Sequence, residues 1–149
     1  MSNKVGFMYV HRKVMSPQKT RIFTTLPEPT GSELEILKVL WQLGPSTVRQ
    51  VYHALERHGL AYTTVLSMLQ IMHQKGLVSR DDSERAHVFK PALSKNQTQR
   101  QILGKLLQRV FGGSATELVM QALGSAKPAS TEEIRKIRAL LDELEAKDR

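Results

Sequence analysis

Cysteine is missing from all 149 residues. That absence excludes disulfides and thiolate metal sites and fits a reducing cytoplasm. No apolar run approaches the roughly 18 residues a membrane-crossing helix needs, so no membrane insertion is expected. The first residues lack an apolar stretch strong enough for a secretory signal, although their basic, acid-poor composition superficially resembles a transit peptide. No Gly-rich phosphate loop and no nucleophile with a neighbouring base appears. The five histidines (His11, His53, His58, His73 and His87) show no ligand pairing at i, i+4. The chain is therefore expected to be no enzyme and to hold no metal and no cofactor.

What is present is positive charge. Lys plus Arg number 22 against 14 Asp plus Glu, a net charge of +8. With a pI near 10.0, that balance points to a polyanionic partner and says nothing about fold. Residues 1–29 carry Lys4, Arg12, Lys13, Lys19 and Arg21 against Glu28 alone. They lack a sustained hydrophobic period and read as a flexible basic tail, either an arm on DNA backbone or a merely solvated segment. Ser16-Pro-Gln-Lys19 within it matches a Ser-x-x-Lys catalytic string, but the companion motifs are missing and the match is chance.

Ala61 to Leu77 organises the rest. Val65, Leu66, Leu69 and Met72 recur at helical spacing and form a buried face. Thr63, Thr64, Ser67, Gln70, Ile71 and Gln74 fall on the other side. Apart from Ile71 that surface is uncharged and hydrogen-bonding, which suits the major groove or an ordinary solvated helix face. Gly76 stops the helix. Strand-like segments Leu77 to Arg80 and Ala86 to Lys90 then flank the polar turn Asp81 to Arg85.

Upstream, Thr30-Gly-Ser-Glu33 and Thr47-Val-Arg-Gln50 are capping-box patterns that open two shorter helices. The first buries Leu34, Leu37, Leu40 and Trp41 and ends at Gly44-Pro45. The second buries Val48, Val51, Tyr52 and Leu55 and closes at His58-Gly59. Downstream of Pro91, Ser94-Lys-Asn-Gln97, Ser114-Ala-Thr-Glu117 and Ser130-Thr-Glu-Glu133 cap three further helices. The fold class is mainly α: a winged helix-turn-helix of three helices plus a small β-hairpin wing, then a helical dimerisation region. Residues 30–93 are assigned to the winged helix and 94–149 to the helical region. The latter offers apolar stripes on too little chain for a good core of its own. It packs onto the first domain or, in the reading preferred, makes a homodimer.

Several strings carry a family resemblance: Glu35-Ile-Leu-Lys-Val-Leu-Trp41, Thr47-Val-Arg-Gln-Val51, Ala61-Tyr-Thr-Thr-Val-Leu-Ser-Met-Leu69 and Lys75-Gly-Leu77. Arg85-Ala-His-Val-Phe89-Lys-Pro91, Arg109-Val-Phe-Gly-Gly113 and Leu140-Leu-Asp-Glu-Leu144 complete the set. In order and spacing Thr30 to Leu144 resembles the penicillinase repressor family of bacterial transcriptional regulators (BlaI/MecI/CopY type). The resemblance implies a sequence-specific homodimeric repressor on a palindromic double-stranded operator, of a β-lactam-resistance or cell-stress operon. It also implies release through a membrane-bound sensor protease or, in the copper branch, through a cysteine cluster that this chain lacks. The protease site of the family is an Asn-Phe pair; the corresponding pair here is Lys105-Leu106. Two further departures are Ile71 where many relatives carry Arg, and Glu84 where the wing turn often holds Gly.

Base reading is expected from Thr63, Thr64 and Ser67, with Met68 and Gln70 beside them. Arg49, Arg80, Arg85 and Lys90 are expected on phosphates, and Tyr62 either packs or joins them. Dimer contacts are expected from Ile102, Leu106, Val110, Ile137, Leu141 and Leu144. The alternative is a winged-helix module that binds protein without specific DNA binding.

Overall fold

Helix starts in this chain are set by side chains that reach back to the backbone. The computed structural model describes residues 26–125 and 127–149. Within them the helices are α1 Gly31–Leu43, α2 Val48–Ala54, α3 Tyr62–Lys75, α4 Lys95–Phe111, α5 Ala115–Ser125 and α6 Thr131–Lys147. The strands are β1 Ser46–Thr47, β2 Val78–Asp81 and β3 Val88–Pro91. Thr30, Thr47 and Ser130 each form a reciprocal capping box with Glu33, Gln50 and Glu133. Ser94 and Gln97 do the same, at 2.9 and 3.1 Å. The fifth box is half formed: Ser114 Oγ caps the Glu117 N–H at 3.1 Å, while the Ser114 N–H is already taken by Phe111 O at 2.8 Å. Each cap satisfies donors that a helix end leaves free, at about 1 kcal/mol apiece.

Three helices and a small sheet enclose the core. Ile36, Leu37, Leu40, Val51, Val65, Leu69, Met72 and Phe89 are all buried to 2% exposure or less. The α1 face is wider than its leucine spacing predicts, because α1 packs against both α2 and β3 and so takes in Ile36 and Val39. Trp41 and Leu34 are half-buried, and the Trp41 indole donates to Leu93 O at 3.0 Å. Replacing a buried leucine such as Leu69 by Ala typically costs about 2–5 kcal/mol.

The hairpin is part of a three-stranded antiparallel sheet, order β1-β3-β2. Both hairpin strands sit one or two residues later than their composition predicts. Their register pairs Val78 with Pro91 and Arg80 with Phe89. The third strand, β1, pairs Ser46 with Phe89 and is too short to leave a period in the sequence. The second helix ends as α-helix at Ala54 and continues as a 3-10 turn, Glu56–His58, to Gly59. Gly76, with φ 84°, closes α3 in the left-handed region that favours glycine.

The chain divides into two compact units, one ending at Gly104 and one spanning Lys105–Arg149. The division falls inside α4, beyond residue 93, because the first turns of α4 belong to the winged-helix unit. Thr98 and Gln101 are buried there, and Gln101 Nε2 donates to Leu26 O at 2.7 Å. Residues 1–25 of the expected tail lie outside the described residues. Its last stretch, 26–29, packs on the unit, and Pro29 is buried. In the second unit, α4 ends at Gly112 and Gly113, with φ 55° and 87°. No residue of α5 or α6 is buried in the single chain.

Candidate nucleic-acid interface

Helix α3 is amphipathic in an uncommon way. Its inner side, Val65, Leu69 and Met72, is fully buried, and Leu66 is half-buried against the core. Its outer side presents Thr63, Thr64, Ser67, Gln70 and Gln74, all exposed, with Ile71 exposed to 47% among them. Hydroxyls and amides on a surface without charge offer hydrogen-bond donors and acceptors for base edges, and the Thr methyls offer apolar contact. Met68 is half-buried and packs partly against the core, unlike the exposed residues of that outer side.

A partly buried ion pair fixes the far end of α3. Glu33, 5% exposed, accepts the Thr30 N–H at 2.9 Å and the Lys75 ammonium at 2.8 Å. Burial alone would raise the Glu33 pKa. The bonds from Lys75 and Thr30, with the Lys75 charge, outweigh it and hold the carboxyl below its ordinary range. One carboxylate thus caps α1 and ties it to the last turn of α3. The cap is readable from the Thr30–Glu33 spacing, but the tie to Lys75 is not, since those partners lie far apart in the chain.

Beside the first turn of α3 stands an aromatic and cationic group. Tyr62 is 37% exposed; its ring meets Tyr52 edge-on at 5.6 Å, and the Arg49 guanidinium lies 5.6 Å from its centroid. Tyr62 therefore both packs and shows a face to solvent. It lines an open cleft of about 480 Å³ together with Thr47, Arg49, Leu66, Arg85 and His87. His87 is the residue that sequence reasoning missed; only the strand pairing brings it beside Arg49.

The wing cations are unequal. Arg80 Nε lies 2.8 Å from Asp82 Oδ1, and its Nη2 donates to Oδ2 at 3.2 Å, so the wing itself occupies this guanidinium. Arg49, Arg85 and Lys90 are exposed and form no ion pair among the described residues. Asp81 is held below its ordinary pKa by the Ser83 N–H, then the Ser83 hydroxyl, and by the Lys90 charge. The wing turn thus favours the ionised form of Asp81. Among the described residues no group of three or more His, Cys, Asp or Glu gathers to hold a metal.

In the second unit, Leu106, Val110, Leu141 and Leu144 are exposed to between 43% and 65%, with Ile137 half-buried. Ile102, in the part of α4 that belongs to the first unit, is half-buried as well. Lys105 and Leu106 follow Gly104 in mid-helix. No helix among the described residues is long and apolar enough to cross a membrane.

Residues 29–143 match the family model described as penicillinase repressor. The transcriptional regulator BlaI of Mycobacterium tuberculosis is 30% identical over 116 residues, which cover 76% of this chain and 83% of that one. The penicillinase repressor of Bacillus licheniformis is 24% identical over 119 residues, 79% of this chain and 92% of that one. Among solved structures the chain is similar to the monomeric form of Bacillus licheniformis BlaI in complex with the blaP half-operator. That likeness has a TM-score of 0.43 and 23% identity, over 48% of this chain and 89% of the other. The family match spans most of the chain and takes in both the capped helices and the wing. The chain belongs to the penicillinase repressor family, whose members are transcriptional regulators and not enzymes.

Proposed function

We propose that this protein is a sequence-specific repressor that binds a palindromic operator as a homodimer. The observation that carries this is the outer face of α3, where Thr63, Thr64, Ser67 and Gln70 stand exposed and uncharged, next to a helix start, Tyr62, whose cleft also holds Arg49 and Arg85. Arg49 and Arg85 flank that face and supply backbone contacts, with Lys90 beyond them on the wing. The second copy covers the apolar stripe of Leu106, Val110, Ile137, Leu141 and Leu144, together with Ile102. A two-fold pairing of this kind matches the symmetry of a palindromic site.

Repression ends, in this reading, when a sensor protease cuts α4 at Lys105-Leu106. Gly104 weakens the helix at that point by about 1 kcal/mol relative to Ala, and a Cβ there would meet nothing within 4 Å. A cut separates the DNA-reading unit from most of its dimer surface. The tethering of two half-site modules, a gain of order 10²–10⁴, is then lost. The operator belongs to a β-lactam-resistance or cell-stress operon.

The test is a mobility shift on a duplex recovered by in vitro selection with the full-length protein, run across a salt series. The logarithm of the affinity should fall linearly with the logarithm of salt concentration. No shift on any selected duplex would leave the protein-interaction reading in its place.

A further inference from the structure

The clefts of the first unit differ in charge, and the difference identifies an anion site. The cleft against the back of the wing is lined by Arg80 and Lys90 and equally by Asp81 and Asp82. It is internally compensated, with Arg80 already paired. The cleft between α2, α3 and the wing turn has Arg49 from α2, Arg85 and His87 from the wing, and Tyr62 from α3, with no carboxylate on its walls. Two guanidiniums therefore face one space without a counter-ion of their own. Arg49 is further oriented by the Tyr62 ring, whose face it covers at 5.6 Å, and that ring is braced by Tyr52. Val48 and Leu66 give the cleft an apolar floor, a surface that a sugar can lie against.

We infer that this cleft is a clamp for a single backbone phosphate, which Arg49 and Arg85 grip together from two different elements while His87 and the Tyr62 hydroxyl complete the ring of donors. The clamp rests on the DNA-binding reading above and gives it a definite geometry. The wing and α2 do not track separate phosphates; they close on the same one, beside the first turn of α3. Because the guanidiniums are planar forks that suit phosphate oxygens, the pair fixes where the strand passes and hence the register of Thr63 and Thr64 on the bases. His87 adds a further donor from the wing. The groups that face it are Arg85 in the wing turn, Arg49 and Tyr62 across the cleft, and Asp82, whose Oδ1 lies 3.7 Å from His87 Nε2.

Three measurements on the full-length protein and its selected duplex test the clamp. The Arg49→Ala, Arg85→Ala and double variants are compared for affinity and salt slope. One shared phosphate predicts that the double variant lowers the slope by about 0.9, whereas two separate phosphates predict about 1.8. Single uncharged methylphosphonate linkages are then placed along each strand in turn. A linkage at one position in each half-site should silence both variants, so that neither weakens binding further. Silencing of the two variants at different positions would overturn the clamp and leave DNA binding intact. Finally, inorganic phosphate at constant ionic strength should leave the complex undisturbed. Displacement of the duplex by inorganic phosphate would instead make the cleft a small-anion site and overturn the proposal. Circular dichroism on the double variant checks the fold, and Arg49→Lys with Arg85→Lys offers a milder pair, which should keep the charge and lose the forked grip. Failure of wild-type protein to bind any duplex would refute the underlying reading and the clamp with it.

Discussion

Replacing Glu33 by Gln removes one charge at the joint between α1 and the end of α3. The carboxylate accepts the Thr30 N–H at 2.9 Å and the Lys75 ammonium at 2.8 Å, and its side chain is 7% exposed against 34% for Lys75. The amide introduced by Glu33→Gln can keep one of those bonds but not the charge. A hydrogen bond to a charged group contributes about 1.5–3 kcal/mol. Lys75 is partly open to water and can turn outward, so screening lowers the expected loss to about 1–2 kcal/mol near neutral pH. The pH dependence gives the sharper check. Burial pushes the Glu33 pKa up, but the Lys75 and Thr30 interactions outweigh it, and the folded value lies below the ordinary 4.5. The stabilisation is therefore fully present above the unfolded value and is lost as pH falls through the folded pKa. Urea unfolding of both proteins at one fixed concentration, across a pH series, should show a difference that is widest near neutrality and closes on the acid side. The other depressed carboxylates, Glu35, Asp81 and Glu133, are common to both proteins and cancel. A difference that stayed constant down to about pH 3 would show that the substitution acts through packing and not through charge.

Thr64→Ala should cost about 1 kcal/mol on the selected duplex and less on random sequence; equal losses in a competition titration would remove Thr64 from base reading. Lys90→Ala should lower the salt slope by about 0.9, whereas Arg80→Ala should change it little because Asp82 already occupies that guanidinium. Leu106→Asp should give monomers in sedimentation with the winged-helix unit still folded, since an unpaired charge in an apolar seam is costly; a persistent tight dimer would mean the stripe is not the interface. Gly104→Ala should stabilise α4 by about 0.5–1 kcal/mol and slow loss of the intact chain on immunoblots of β-lactam-treated host cells. An unchanged half-life there would count against cleavage in α4.

The elements were legible because independent local signals agreed. Thr30, Thr47, Ser94 and Ser130 each began a helix where a capping residue met an apolar period, and Gly76 ended α3 by its left-handed backbone. The outer face of α3 was legible for the same reason, since 3.6-residue periodicity assigns each side chain to one side. What stayed hidden depends on contacts between distant residues. β1 exists only because Phe89 and Val88 of β3 offer Ser46 and Thr47 an edge. Gln101 and Leu26, far apart in sequence, move the unit boundary into α4. Arg80 and Arg85 look alike in a list of cations. Only the folded turn assigns one to Asp82 and leaves the other facing Arg49 across a cleft.

The second unit makes the same point from the opposite side. The three-four spacing of Ile134, Ile137, Leu141 and Leu144 reads as a helix seam, and α6 forms as that spacing demands. In the single chain Leu140, Leu141 and Leu144 are exposed to at least 54%, and Val119, Met120 and Leu123 of α5 add to the uncovered surface. Side chains of this size gain about 1.5–3 kcal/mol each on full burial, so leaving six of them in water forfeits stability that a small helical unit needs. In the proposed homodimer that burial is supplied by the second copy, and folding of the unit becomes linked to association. Its unfolding midpoint should therefore rise with protein concentration, each tenfold step adding about 1.4 kcal/mol to the assembled state. The winged-helix unit, whose core is complete within one chain, carries no such dependence of its own. A cut between the two would then leave a DNA-reading module that is folded but alone on its half-site.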